Sequence, residues 1–385
     1  MDILNTKSGY ALTRNPIVVK EAYSGADFDA AGGTLRVSLA GSTIYKGRFF
    51  PPLELDISEI VDAAADYFPE AELSGVPFIR VLDSMSLADR WQFYISAEYD
   101  RIEYESALIA VPGGIPTRNY MEYPDSDIFS RRFFSRGNNF FLTSRTAGHT
   151  ITIKETELAP LYFLNKTACR IEVFDAVSGC SLVENVSPGL WALDVDALRK
   201  WFFDEYGVLV QVFSISRDYI PATTIVIEKS CPAPERYRVK FRNSLGVFEV
   251  VELVGKLTFS DIDNDSDSEE FQRYNPASCS FSYRRERITS RQAATITTPV
   301  DDTSSMLFLL DMAQSDEAYL LGVTVNPVRV IPVVEPQYNA RPEEPKDITV
   351  TLNFANDDAP ILPAIGADSV GTNRIFSNQF SKQFN

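Results

Sequence analysis

The sequence predicts a mainly β protein, with two or three β-sandwich domains of immunoglobulin-like or jelly-roll-like type and short crossover helices. Three observations predict it. Aromatic residues make up 12% of the chain, including 26 Phe and 17 Tyr, and with many Val, Ile and Thr they favour pleated, half-buried surfaces. Period-2 alternation recurs in short runs bounded by Gly, Pro and Asn. At 385 residues the chain exceeds the usual size of a single core, and an apolar share of 45% can fill several.

The first domain, 1–110, opens with the extended run RNPIVVKEAY, where Pro16 suits a strand start. In GTLRVSLAGSTIYKGRFF, Leu35, Val37 and Leu39 share one face and Arg36 and Ser38 the other, with AGS as the turn to the next strand. LDISEIVDAAADYF then changes to helical spacing: Asp56 and Glu59 form a capping-box pattern, and Ile57, Ile60, Val61 and Ala64 share a face. PFIRVLD and WQFYISAEYD return to strand character.

Residues 111–149 read as an irregular arm rich in aromatics and arginine, with Phe129, Phe133, Phe134, Phe140 and Phe141 too apolar to leave in water. It either folds over its own domain or docks on a neighbour. The second sandwich, 150–230, holds HTITIKE, LAPLYFLN, CRIEVFDA, CSLVENV, VLVQVFSIS and TTIVIEK. Its helix, in LDVDALRKWFFDEYG, is capped by Asp194 or Asp196 and stopped by Gly207. The segments LELDISEIVDAAADYF and WALDVDALRKWFFDEY share a strand end, an Asp and a β-branched residue, a weak sign of two related domains.

A third β-rich domain, 231–340, begins with the hairpin ERYRVKFRNSLGVFEVVELVGKLTFS. RNSLG is its turn, with Gly246 at positive φ. Tyr237, Val239 and Phe241 share one face, Arg238, Lys240 and Arg242 the other, and only one of Glu249 and Glu252 can oppose the basic row. SSMLFLLDMAQSDEAYLLG reads as a strand running into a short helix, and VTVNPVRVIPVVE as a strand. Residues 341–385 give the end of a Pro-rich linker, a last strand in ITVTLNF, and a polar tail expected to be held by neighbouring subunits.

Charge narrows the function classes. Lys plus Arg total 36 against 53 Asp plus Glu, a net charge of −17 that argues against nucleic acid as the main ligand. No apolar run spans a bilayer and no signal peptide is visible, so synthesis in the cytoplasm is expected. His149 is the single histidine, in a turn, and no nucleophile, phosphate-loop or zinc motif accompanies it. DIDNDSDSEE places Asp261, Asp263 and Asp265 like calcium ligands, but Ser266 and Gln272 occupy positions where an EF-hand needs Gly and Glu. Cys169 and Cys180 flank a hairpin and could bridge, though buried free thiols are the simpler reading. No catalytic residue, cofactor or metal is expected.

Two basic islands, SRRFFSRGNNFFLTSR and YRRERITSR, stand out on the acidic background. With the hairpin they give the expected subunit contacts: Arg131, Arg132, Phe133, Phe134, Arg136, Arg238, Lys240, Arg242, Arg284 and Arg285.

LTRNPIVV, followed by GTLRVSLAGSTIYKGRF, resembles the start of tail proteins of phages infecting Bacteroidetes, and RYRVKFRNSLGVFEVVELVGK is similar to a segment of those proteins. The resemblance covers about a tenth of the chain and carries over no catalytic residue. It implies a virion component of the tail tip, baseplate or hub. Such a part would form a ring or other symmetric oligomer and contact other tail proteins. The alternative is a glycan- or receptor-binding module, with Trp91, Trp191 and Tyr120 as sugar platforms.

Overall fold

The computed structural model describes residues 2–3, 6, 8–21, 32–50, 52–99, 102–116, 127–145, 148–230, 235–263, 269–286, 290–300, 303–323, 326–334 and 346–355. The protein is mainly β, with strands in several sheets. It divides into two compact units, Met1–Ser230 with Asn243–Glu249, and Cys231–Arg242 with Val250–Asn385. The segments 1–110, 111–149 and 150–230 therefore belong to one unit.

In chain order the first unit holds β1 (Asp2–Ile3), β2 (Tyr10–Leu12), β3 (Val18–Glu21), β4 (Gly33–Leu39), β5 (Ser42–Phe49) and β6 (Leu53–Asp56). Then come α1 (Ser58–Ala64), β7 (Phe78–Asp83), α2 (Ser84–Trp91), β8 (Gln92–Tyr99) and β9 (Ile102–Val111). After a single π-type turn at Phe129–Phe133 follow β10 (Thr150–Lys154), β11 (Leu161–Asn165), β12 (Cys169–Phe174), β13 (Ser181–Val186) and β14 (Gly189–Leu193). The helix α3 (Val195–Tyr206) leads into β15 (Val212–Arg217) and β16 (Ile220–Glu228).

These elements repeat one arrangement twice. One five-stranded sheet has the order β2-β9-β8-β4-β5, the other β10-β16-β15-β12-β13, so each position is filled by the equivalent strand. In both, the first strand runs parallel to the last. All other neighbours are antiparallel. Facing each sheet is an antiparallel pair, β3 with β6 in one and β11 with β14 in the other, followed by a helix, α1 or α3. The echo between the two helical segments falls on these equivalent helices.

Each repeat fills its own core. Val19, Leu53 and Val61 pack with Leu35, Val37, Phe93 and Ile95 in the first. Phe163, Leu193, Leu198 and Phe202 pack with Ile171, Val173, Ile215 and Ile225 in the second. A third core joins Leu12, Trp91 and Val111 of the first repeat to Tyr162, Leu164 and Leu190 of the second. The inserted β7 pairs with β14 of the second repeat, so the repeats share a sheet as well.

Local sequence explains most helix ends. Asp194 accepts from the backbone NH of Asp196 and Ala197, both at 3.1 Å, and Gly207 ends α3 at φ 68°. The capping box expected at α1 does not form. Asp56 Oδ1 instead accepts from Ser58 N and Ile17 N, both at 3.0 Å, tying the helix start to the strand beside it. The sequence reading missed α2, whose cap Asp83 accepts from Ser86 N at 2.7 Å and which buries Leu87 and Trp91 four residues apart.

The second unit contains β17 (Arg236–Arg242), β19 (Leu257–Asp263), β20 (Glu269–Asn275), β21 (Ser280–Glu286) and β22 (Ser290–Val300). These are followed by α4 (Thr303–Ala313), β23 (Ala318–Leu321), β24 (Val328–Val334) and β25 (Lys346–Phe354), while β18 (Phe248–Val254) begins in the first unit's segment. A seven-stranded sheet runs β18-β17-β23-β24-β25-β22-β19. Phe308, Leu309 and Met312 of α4 pack on its inner side with Val239, Phe241, Ile296 and Val350. The expected strand-then-helix order of SSMLFLLDMAQSDEAYLLG is reversed. MLFLL reads equally as strand or helix, and only Phe308, Leu309 and Met312 together reveal the helical stripe. The linker 335–345 and tail 356–385 lie outside the described residues.

Candidate interaction surface

Of the arm, 127–145 is described, and it folds into its own unit. Asp127 Oδ1 accepts from Phe129 N at 2.7 Å, and the Phe134 NH returns to the Phe129 carbonyl at 2.7 Å. Phe129, Phe133, Phe140 and Phe141 are buried. Phe134 is partly covered, edge-on to Tyr10 at 4.9 Å. The expectation that Phe133 docks on a neighbour is corrected, because its ring is fully buried in the core shared by the repeats, while Phe134 keeps part of its surface. Arg217 holds the arm in place, donating to the Phe133 carbonyl at 2.9 Å and to Asn165 Oδ1 at 2.6 Å.

The arginines of the arm separate. Arg132 donates to the Thr143 carbonyl at 3.2 Å and lies over the Phe133 ring, whereas Arg131 is exposed. Arg136 is exposed and 3.5 Å from Asp218. Among the described arginines of this island, Arg131 and Arg136 are the exposed ones.

The hairpin keeps its expected alternation and turn. Asn243 Oδ1 accepts from Leu245 N at 3.0 Å and Val247 N at 3.1 Å, and Gly246 has φ 83°. The tip is not exposed. Leu245 and Val247 enter the core shared by the repeats, and Gly114 N donates to the Ser244 carbonyl at 2.7 Å. A Cβ on Gly246 would lie 2.5 Å from the Pro112 carbonyl oxygen, so glycine is required for space as well as for φ.

Glu249 follows the tip and is buried at the centre of a polar hub. Its carboxylate accepts from Thr143 Oγ1 at 2.5 Å, Ser144 N at 3.3 Å, Ser144 Oγ at 3.2 Å and Asn243 Nδ2 at 2.7 Å. Arg145 lies between two buried carboxylates, 3.7 Å from Glu249 and 2.5 Å from Glu157. One guanidinium serves two carboxylates, and the hydroxyl, amide and backbone donors around Glu249 meet the remaining negative charge, the hydrogen bonding that makes a buried ion tolerable. Glu252 is the carboxylate that opposes the basic row, 3.8 Å from Arg236.

On the stem, Val239 and Phe241 are in the second unit's core, Arg238 is exposed and Lys240 half-buried. Arg242 is buried, with Nη2 2.7 Å and Nε 3.1 Å from Glu317 Oε2, which corrects its expected role as a subunit contact. Arg284 and Arg285 are in β21, opposite Phe271 and Glu270, and their side chains lie outside the described residues.

Burial raises the Glu317 pKa, but the Tyr319 hydroxyl, at 2.6 Å, and the Arg242 guanidinium outweigh it and hold the group below its ordinary 4.5. A depressed acid stabilises the fold above its unfolded pKa and loses that contribution as pH falls through the folded value. Glu317→Gln is therefore expected to flatten the loss of second-unit stability below about pH 4.5. Urea melts at neutral and acid pH check this, and equal acid sensitivity in both proteins would contradict it.

The remaining candidates resolve simply. His149 is exposed, its Nδ1 3.1 Å from the Ala222 carbonyl. Cys169, Cys180 and Cys279 are free thiols. Cys169 pairs with Val186 and Cys180 follows the opposite end of that hairpin, so the bridge considered from sequence is out of reach. Trp91 and Trp191 are buried and cannot serve as sugar platforms, while Tyr120 lies outside the described residues. Of the EF-hand-like run, residues 264–268 also lie outside them. Among the described residues no helix is long and apolar enough to cross a membrane.

Two equivalent sheet faces carry what the sequence reading missed. On the second repeat, register places Thr152, Val226 and Val212 in one row, and Thr150, Thr224, Ser214, Phe174 and Ser181 in the next. Glu172 and Val183 follow beyond Ser216. Phe174, Val183 and Val212 are 37%, 39% and 42% exposed on this outer face. The inward residues between them signal a half-buried strand, but sequence alone cannot say which outward residues become neighbours. Comparison with protein-family models, curated proteins and solved structures gives no match.

Proposed function

We propose that this chain is a structural assembly protein, a tail component of the phage class its sequence resembles. In this reading it binds copies of itself and neighbouring virion proteins through its sheet faces, and is made in the host cytoplasm before joining the particle. Each repeat acts as a sandwich of a five-stranded sheet against a smaller one, leaving the outer face of the larger sheet for partners.

The observation that supports this most is the outer face on which the apolar Phe174, Val183, Val212 and Val226 stand among Ser and Thr, with Glu172 opposite Val183. Exposed apolar side chains interleaved with polar ones on a sheet face are a common composition for a protein contact. The triple variant Phe174→Ser, Val183→Ser, Val212→Ser is expected to melt within a few degrees of the parent, since these side chains are not in a core. It is expected to weaken assembly by about tenfold or more. Unaltered assembly would remove this face from the reading. A monomer that binds a glycan on an array would favour the receptor-binding alternative.

A further inference from the structure

The equivalent face of the first repeat has a different chemistry. Set among Thr34, Ser96 and Tyr94, the outward charged residues are Arg36, Lys46 and Arg48 on β4 and β5, and Glu98, Glu103 and Glu105 on β8 and β9. The strand order β9-β8-β4-β5 therefore splits one sheet face into an acidic half and a basic half. Lys46, Arg48, Glu98, Glu103 and Glu105 are exposed and Arg36 is half-buried. One ion pair crosses the seam, Arg36 to Glu98 at 3.3 Å.

Within each half, like charges stand directly opposite across the strands: Arg36 faces Lys46, and Glu98 faces Glu103. Such pairs repel in an isolated sheet. Both repulsions are relieved together when a face of the reverse charge order covers them. A second copy supplies that face, because a two-fold axis between stacked sheets and parallel to the strands lays each basic half over an acidic half.

We infer that this charge-split face is a self-complementary docking surface for a second copy of the chain. The inference rests on the assembly reading above and names one contact within it. The net charge of −17 opposes non-specific self-association, so the contact depends on local charge order and weakens with salt.

Two variants test it by sedimentation at low salt. Lys46→Glu with Arg48→Glu makes the face wholly acidic, and Glu103→Lys with Glu105→Lys makes it largely basic. Each alone is expected to weaken self-association by about 100-fold. An equal mixture of the two is expected to restore it. The second variant lowers the overall negative charge, so its loss of association cannot come from general repulsion. Circular dichroism checks that both fold; should either fail to, Lys46→Ser and Glu105→Ser with a salt titration of the parent give the same decision. Parent-like association in both folded variants, or a mixture that stays apart, overturns the inference and leaves the assembly reading standing. A parent that is monomeric at every salt concentration overturns both.

Discussion

Glu249→Ala is expected to destabilise the first unit by about 3–5 kcal/mol, the scale of breaking a buried ion arrangement from one side. The substitution removes the acceptor of Thr143, Ser144 and Asn243 and takes one of the two carboxylates flanking Arg145. These donors come from the arm and the hairpin tip, so both loosen together. A drop in Tm of roughly 10 °C is expected for a unit of this size. Glu249→Gln keeps an acceptor and is expected to lose roughly half as much. A Glu249→Ala protein that melts with the parent would show that the hub contributes nothing to stability.

Trp91→Ala is expected to lose a similar amount, about 3–5 kcal/mol, through the cavity left by a fully buried indole. Trp91 packs edge-on to Phe68 at 4.9 Å, and its Nε1 donates to the Asp66 carbonyl at 2.7 Å. It lies in the core that both repeats share, so the loss should spread. Hydrogen exchange is expected to quicken in β4 of the first repeat and in β12 of the second. Exchange that changes in the first repeat alone would mean that the repeats are independent domains.

Much of the fold was legible because local patterns carried it. Strand β4 occupies Gly33–Leu39, where Leu35, Val37 and Leu39 alternate with polar residues, and α3 begins and ends at Asp194 and Gly207. The RNSLG turn was equally plain. Short pieces with ambiguous periods were not: α2 shows only Leu87 and Trp91 to its core, and MLFLL in α4 fits either geometry. The repeated topology shows in the sequence only as the faint likeness of the two helical segments, since different side chains can build the same strand order.

The candidate surface was less legible. Basic residues beside Phe mark contact surfaces and arm cores alike, and burial of Phe133 follows from partners far along the chain, including Arg217. Arg242 looked outward by alternation, yet Glu317, just before β23 and about 75 residues along the chain, covers it, a pairing that no local period announces. The split charge face is written in four strands at once. Arg36, Lys46, Glu98 and Glu103 become neighbours only when register is known.

The mass and symmetry of the purified protein decide whether the proposed assembly role holds. Native mass spectrometry with electron microscopy at low salt is expected to give a closed oligomer of one defined stoichiometry. A single-chain mass under those conditions, with no symmetric particles, would rule out the assembly role.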